Sequence, residues 1–311
     1  MRFISDGVSF VDFCAYVMYT FSVMENCTLC PRRCGADRNN TRGYCGADNT
    51  FRIGFIGAHF GEEPPVTGKK GSGAVFFSGC PLKCVYCQNA DISANGNGRE
   101  FTPSELERRF LELGEKCENI NLVTAGHYLN VLIPVLEKVK PKLHVPVVYN
   151  SSGYETADAV RRLDGLVDVY LPDYKYYSDK LAEAYSSCPD YRETATAAID
   201  EMVRQRPFAV FENSLIKKGV VIRHLVLPES RLDSIAVMRD IALRWKDNVL
   251  ISLMSQYTPS FNRSQYKQLS RRITSFEYES VLREAVRLGL NGFMQERTSA
   301  TDALTPIFET R

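Results

Sequence analysis

The sequence predicts an α/β fold in which a parallel sheet is covered by helices and preceded by a small cysteine-rich module. Three observations carry this. Short, nearly continuous apolar runs recur along the chain from residue 74. Segments with helical spacing separate them. The texture before residue 60 is different: rich in Cys, Arg, Asn and Gly, with little apolar periodicity. Strands apolar on both faces belong to parallel sheets whose two sides are buried.

The runs are AVFFS (74–78), INLVT (120–124), VPVVY (145–149), LVDVYL (166–171), VVIRHLVL (220–227), VLISLM (249–254) and NGFMQ (291–295). Between them, Leu106, Phe110, Leu111 and Leu113 mark one helix, started by Thr102-Pro103 and Ser104. Ala157, Val160 and Leu163 mark another, followed by Ala198, Met202 and Val203. Ile235, Met238, Ile241 and Ala242 mark the next, and Val281, Ala285 and Leu288 the last. Six or seven such units suit a full or partial β/α barrel with its site at the C-terminal strand ends. A doubly wound sheet is the alternative. Residues 57–73 contain five glycines and two prolines and read as a connector.

The chain has 311 residues and a net charge of +1, so no bulk field draws nucleic acid or an anionic membrane. Residues 8–23 are apolar but short for a membrane span and are interrupted by Asp12. With Arg2 the one basic residue ahead of them, they lack a signal-peptide n-region. Met24 reads as the true start, leaving 1–23 as a non-native or disordered extension.

Ten cysteines are present, seven of them in two groups. Clustered thiols in a chain of this size indicate metal, and a reducing, cytoplasmic compartment, rather than a disulfide framework. Cys27-x2-Cys30-x3-Cys34-x10-Cys45 supplies four thiolates, suited to a zinc site or to an iron–sulfur cluster. Cys80-x3-Cys84-x2-Cys87 directly follows the first predicted strand. Three thiolates hold a cubane cluster and leave one iron free to bind a further ligand, whereas a closed zinc site takes four.

This loop, GCPLKCVYCQN (79–89), with Tyr86 before the third cysteine, resembles the signature of the radical S-adenosylmethionine (SAM) superfamily. CTLCPRRCGADR (27–38), GEEPPVTGKKGSG (61–73), NLVTAGHY (121–128), YNSSGYE (149–155), YLPDYKYY (170–177), IRHLVLPE (222–229) and LMSQYTP (253–259) extend the resemblance to proteins like the pyruvate formate-lyase activating enzyme. It implies a partial (β/α)6-type barrel over 61–311 behind a cysteine-rich module over 24–60. Also implied are a [4Fe–4S] cluster on Cys80, Cys84 and Cys87, and SAM bound at its open iron and cleaved to a 5′-deoxyadenosyl radical.

Carried over by position, Tyr86, Gly126, Asn150, Ser151, Ser152, Asp173 and Lys175 are expected at SAM. The family's Gly-Gly-Glu stretch is replaced here by Thr124-Ala125-Gly126-His127, so an acidic contact is missing. His127, His224, Gln256 and Tyr257 are further candidates for the pocket. A flavodoxin or ferredoxin as reductant, and a glycyl-radical enzyme as protein substrate, follow from the same resemblance. A small molecule or a different macromolecule as substrate, and a non-catalytic iron–sulfur electron carrier, are the other readings.

Overall fold

The computed structural model describes residues 27–295, 305, 306 and 308. The proposed extension at 1–23 lies outside the described residues.

The predicted strands form in the predicted places. In chain order the strands are β1 (Phe51–His59), β2 (Ser72–Phe77), β3 (Arg99–Phe101), β4 (Ile120–Val123), β5 (Val147–Ser151), β6 (Val169–Pro172), β7 (Val210–Glu212), β8 (Leu215–Leu225), β9 (Leu250–Met254) and β10 (Gly292–Met294). β2, β4, β5, β6, β8, β9 and β10 are parallel neighbours in that order. Each connection therefore steps to the same side, and the strand order never reverses. A doubly wound sheet needs a reversal, so the sheet winds one way, as in an incomplete barrel.

β4, β5 and β6 are buried at every position. Both faces of these strands are covered, which is why they read as near-continuous buried runs even with Asn121 and Asn150 among them. Helix Pro103–Lys116 starts with a capping box, in which Thr102 accepts from the Glu105 amide and the Glu105 carboxylate takes the Thr102 amide. Thr274 and Glu277 repeat the device on helix Ser275–Arg287.

Two expectations are corrected. Residues 51–59, placed in the cysteine-rich module, form β1, which pairs antiparallel with β2 and β3. Phe51 and Ile53 are buried there, and β1 covers the edge that β2 would otherwise expose. The cysteine-rich module thus ends near residue 50. The 57–73 connector contains the end of β1 and a short helix, Pro64–Thr67. β7 was not expected; it pairs with β8 across Asn213 and Ser214, both in the left-handed region.

Residues 27–50 form turns and extended chain without helix or strand. Their backbone bonds are local, such as Cys27 N–H to Ala36 O at 3.1 Å and Gly43 N–H to Ala47 O at 2.9 Å. The module docks where the β2 loop leaves the sheet. The Cys80 amide donates to Cys45 O (2.9 Å), Arg32 Nε to Pro81 O (2.8 Å), and Arg38 Nη2 to His127 O (2.8 Å).

Candidate active site

A cavity of about 170 Å³ opens at the C-terminal ends of the parallel strands. Cys80, Cys84 and Cys87 border it, together with Tyr86, Asn150, Ser151, Ser152, Asp173, Lys175 and Gln256. The fold thus brings together at one site groups spread over 177 positions of sequence, from 80 to 256.

The cysteine loop begins with Gly79 at φ 88°, where a Cβ would fall 2.6 Å from Cys45 O; only glycine fits that turn against the docked module. Each sulfur receives a hydrogen bond: Cys80 from the Leu82 amide (3.4 Å), Cys84 from Ser186 Oγ (2.9 Å), Cys87 from Ser93 Oγ (3.3 Å). Burial, reinforced by Cys84 and Cys87, pushes the Cys80 thiol up to about 12. Three thiolates share this wall only when a cation neutralises them, which suits the donor set to a bound iron cluster.

Tyr86 is anchored by its hydroxyl to Tyr176 Oη at 2.6 Å, and its ring packs edge-on against Tyr185 and Tyr257. Asp173 and Lys175 form an ion pair in the cavity wall. Burial alone would lower the Lys175 ammonium, but Asp173, Cys84 and Cys87 outweigh it and hold it above its ordinary range. Ser151 borders the cavity with its hydroxyl already engaged, donating to Glu155 Oε1 at 3.0 Å and accepting from the Gly153 amide. Asn150 and Ser152 border the same cavity, Asn150 with its amide donating to Glu62 Oε1 at 3.3 Å.

Gly126 does not border the cavity. A Cβ there would lie 2.3 Å from both carboxylate oxygens of Glu155, so glycine serves close packing against a buried acid. Thr124, held at φ 58°, occupies the cavity edge in its stead. His127 is also buried away from the cleft; its Nε2 meets Ser78 O at 2.8 Å, and burial lowers its pKa to about 4. His224 turns away from the cavity, with Nδ1 on Tyr174 O at 2.7 Å. Tyr257 is buried, donating to Leu269 O.

The residues not anticipated are Glu62, Glu63 and Arg223. Arg223 Nη1 lies 3.1 Å from Glu62 Oε2, and Nε lies 3.4 Å from Glu63 Oε1 and 3.9 Å from Asp173 Oδ1. Asn121 and Asn150 also donate to Glu62, at 3.0 and 3.3 Å. Burial raises the Glu62 carboxyl while Arg223 pulls it down. Glu62 thus brings a carboxylate to the end of β4, the region where the Thr-Ala-Gly-His stretch carries none. Alternation along β8 was the available signal: if His224 faces out, Arg223 faces in.

Among the described residues no helix is long and apolar enough to cross a membrane. An uncharacterised protein of Methanocaldococcus jannaschii is 29% identical over 285 residues, covering 87% of this chain and 77% of that one. The pyruvate formate-lyase-activating enzyme of Clostridium pasteurianum is 23% identical over 212 residues, 65% of this chain and 82% of that enzyme. Among solved structures, a domain of pyruvate-formate lyase-activating enzyme from Bacteroides vulgatus aligns with a TM-score of 0.41 and 11% identity, over 54% of this chain and 92% of that domain. The model of the radical SAM superfamily matches residues 74–229, half of the chain, and spans the cysteine loop and the strand ends that wall the cavity. The chain belongs to the radical SAM superfamily.

Proposed function

We propose that the chain is a radical SAM enzyme that abstracts hydrogen from a glycine of a partner protein, as an activating enzyme does. The observation that supports it most is the convergence of Cys80, Cys84 and Cys87 with strand-end polar groups around one cavity. Cys80, Cys84 and Cys87 would hold the [4Fe–4S] cluster, and SAM would occupy the adjoining space. When bound and reduced, the pair supplies a 5′-deoxyadenosyl radical.

The chain's own residues do the positioning. Tyr86, fixed through Tyr176, offers a ring to the adenine. Asn150 and Ser152 offer hydrogen bonds to ribose and carboxylate. Lys175, steadied by Asp173, would hold positive charge beside the three cysteines and could meet the carboxylate of the methionine part. The apolar residues Phe76, Leu82, Ile92 and Val123 on the same wall keep water from the reacting atoms. A reductant of the flavodoxin or ferredoxin class and a cytoplasmic setting complete this reading. Cys27, Cys30, Cys34 and Cys45 belong to it as a second metal site.

The ionic group of Glu62, Glu63 and Arg223 favours a second reading, in which a small charged molecule is the hydrogen donor. Incubation with SAM, dithionite and candidate partner proteins separates the two. A persistent glycyl-radical doublet on a partner supports activation. Deuterium passing from a labelled small molecule into 5′-deoxyadenosine, with no protein radical, supports the second.

A further inference from the structure

Arg38 is a buried arginine, 9% exposed, without a carboxylate partner among the described residues. Its Nη2 donates to Asp48 O and His127 O, both at 2.8 Å, and its Nε has no partner. Its Nη1 is aimed at two sulfurs, Cys27 Sγ at 3.8 Å and Cys45 Sγ at 3.7 Å. A guanidinium taken out of water needs a compensating anion. The groups within reach of Nη1 that could supply one are the sulfurs of Cys27 and Cys45, once a metal draws off their protons.

The other two cysteines belong to the same group. Cys34 Sγ and Cys45 Sγ lie 3.3 and 3.4 Å from where a Gly43 Cβ would stand. Cys30 is buried in the same run of turns, three positions from Cys27. All four are free thiols. Among the described residues, no three cysteine, histidine or carboxylate groups close on a single-ion point. That holds equally for Cys80, Cys84 and Cys87, the signature loop for a four-iron cube. Four clustered thiols suit either one zinc ion or an iron–sulfur cluster, and the position of the group decides between them.

The position adds a function. Cys45 O accepts from the Cys80 amide at 2.9 Å, so one backbone hydrogen bond joins a cysteine of each group. We infer that Cys27, Cys30, Cys34 and Cys45 hold a redox-active iron–sulfur cluster, charge-compensated by Arg38 and coupled through the Cys45–Cys80 hydrogen bond to the cluster of the SAM site. This deepens the second-metal element of the proposed function. A one-electron donor of the ferredoxin or flavodoxin class gives one electron to this cluster. The same electron passes to the neighbouring cluster, and no bond forms or breaks.

The test uses the full chain, purified anaerobically and reconstituted with iron and sulfide, as the triple variant Cys80→Ala, Cys84→Ala, Cys87→Ala. It should retain about four irons and four sulfides per chain and give an electron paramagnetic resonance signal on reduction with dithionite. Zinc in their place, or no metal, overturns the inference and leaves the SAM reading to be judged by 5′-deoxyadenosine formation in the unaltered protein. In the unaltered, fully reduced protein the two signals should broaden each other; a simple sum of two unbroadened signals overturns the coupling. Arg38→Gln in the triple variant should move the reduction to more negative potential, since a cation beside the cluster favours its more anionic state. An unchanged potential overturns the role given to Arg38.

Discussion

Replacing Arg223 by Met tests the ionic floor of the cavity. Methionine keeps much of the arginine stem's volume but removes the cation facing Glu62 at 3.1 Å and Glu63 at 3.4 Å. Glu62 retains two amide donors, from Asn121 and Asn150. Glu63 is worse off, because its Oε2 already lacks a partner. Breaking a buried pair from one side costs about 3–5 kcal/mol. At roughly 2–4 °C per kcal/mol for a large domain, the melting temperature should fall by about 6–20 °C at pH 7.5. The pH dependence follows from the sign. Burial raises the Glu62 carboxyl, and without Arg223 nothing cationic offsets it. An acid whose folded pKa is raised is easiest to bury when protonated. The deficit of the variant relative to the unaltered protein should therefore be smallest near pH 5 and grow as pH rises. Adding Glu62→Gln and Glu63→Gln should recover most of the loss. Calorimetry at both pH values decides it: a loss under about 1 kcal/mol at pH 7.5, or a deficit that widens toward pH 5, refutes the reasoning.

Gly126→Ala should cost about 1–3 kcal/mol by overpacking against Glu155. In urea titrations the double variant with Glu155→Ala should lose less than the two single losses combined, whereas simple additivity would contradict the contact. His224 is held neutral by burial, its pKa lowered to about 4 from 6.5. A depressed base contributes stability that is complete above pH 6.5 and lost as pH falls toward 4, worth about 3 kcal/mol at most. His224→Gln should flatten that part of the stability–pH curve, and an unchanged slope would place the titrating group elsewhere. Asn150→Ala and Ser152→Ala should each weaken SAM binding by about 1–3 kcal/mol in calorimetric titration with iron content intact; normal binding by both would remove SAM from this strand end.

β2, β4, β5 and β6 were legible because burial on both faces leaves a nearly continuous apolar run, as in INLVT and VPVVY, whereas β10 was read from a short apolar run although it is largely exposed. The winding direction was not, since a sheet's strand order is set by which neighbour each helix crosses to, and strand sequences alone do not encode it. β1 was missed for a local reason: its glycines and the neighbouring cysteine-rich texture masked the buried Phe51 and Ile53. The cysteine trio was legible from spacing. Alternation could turn Arg223 inward, but its meeting with Glu62 at 3.1 Å, 161 positions away, was not legible, because long-range ion pairs leave no periodic trace. Gly126 and Ser151 were read from strand-end position, but a buried carboxylate, Glu155, claims the space beside one and the hydroxyl of the other.

The central claim is that Cys80, Cys84 and Cys87 carry the chemistry of SAM cleavage. It is tested most directly by quantifying 5′-deoxyadenosine from the anaerobically reconstituted protein with SAM and dithionite, beside Cys84→Ala. The account predicts steady formation by the unaltered protein and none by the variant. Equal formation by both, or none by an unaltered protein with a full complement of iron, would contradict it.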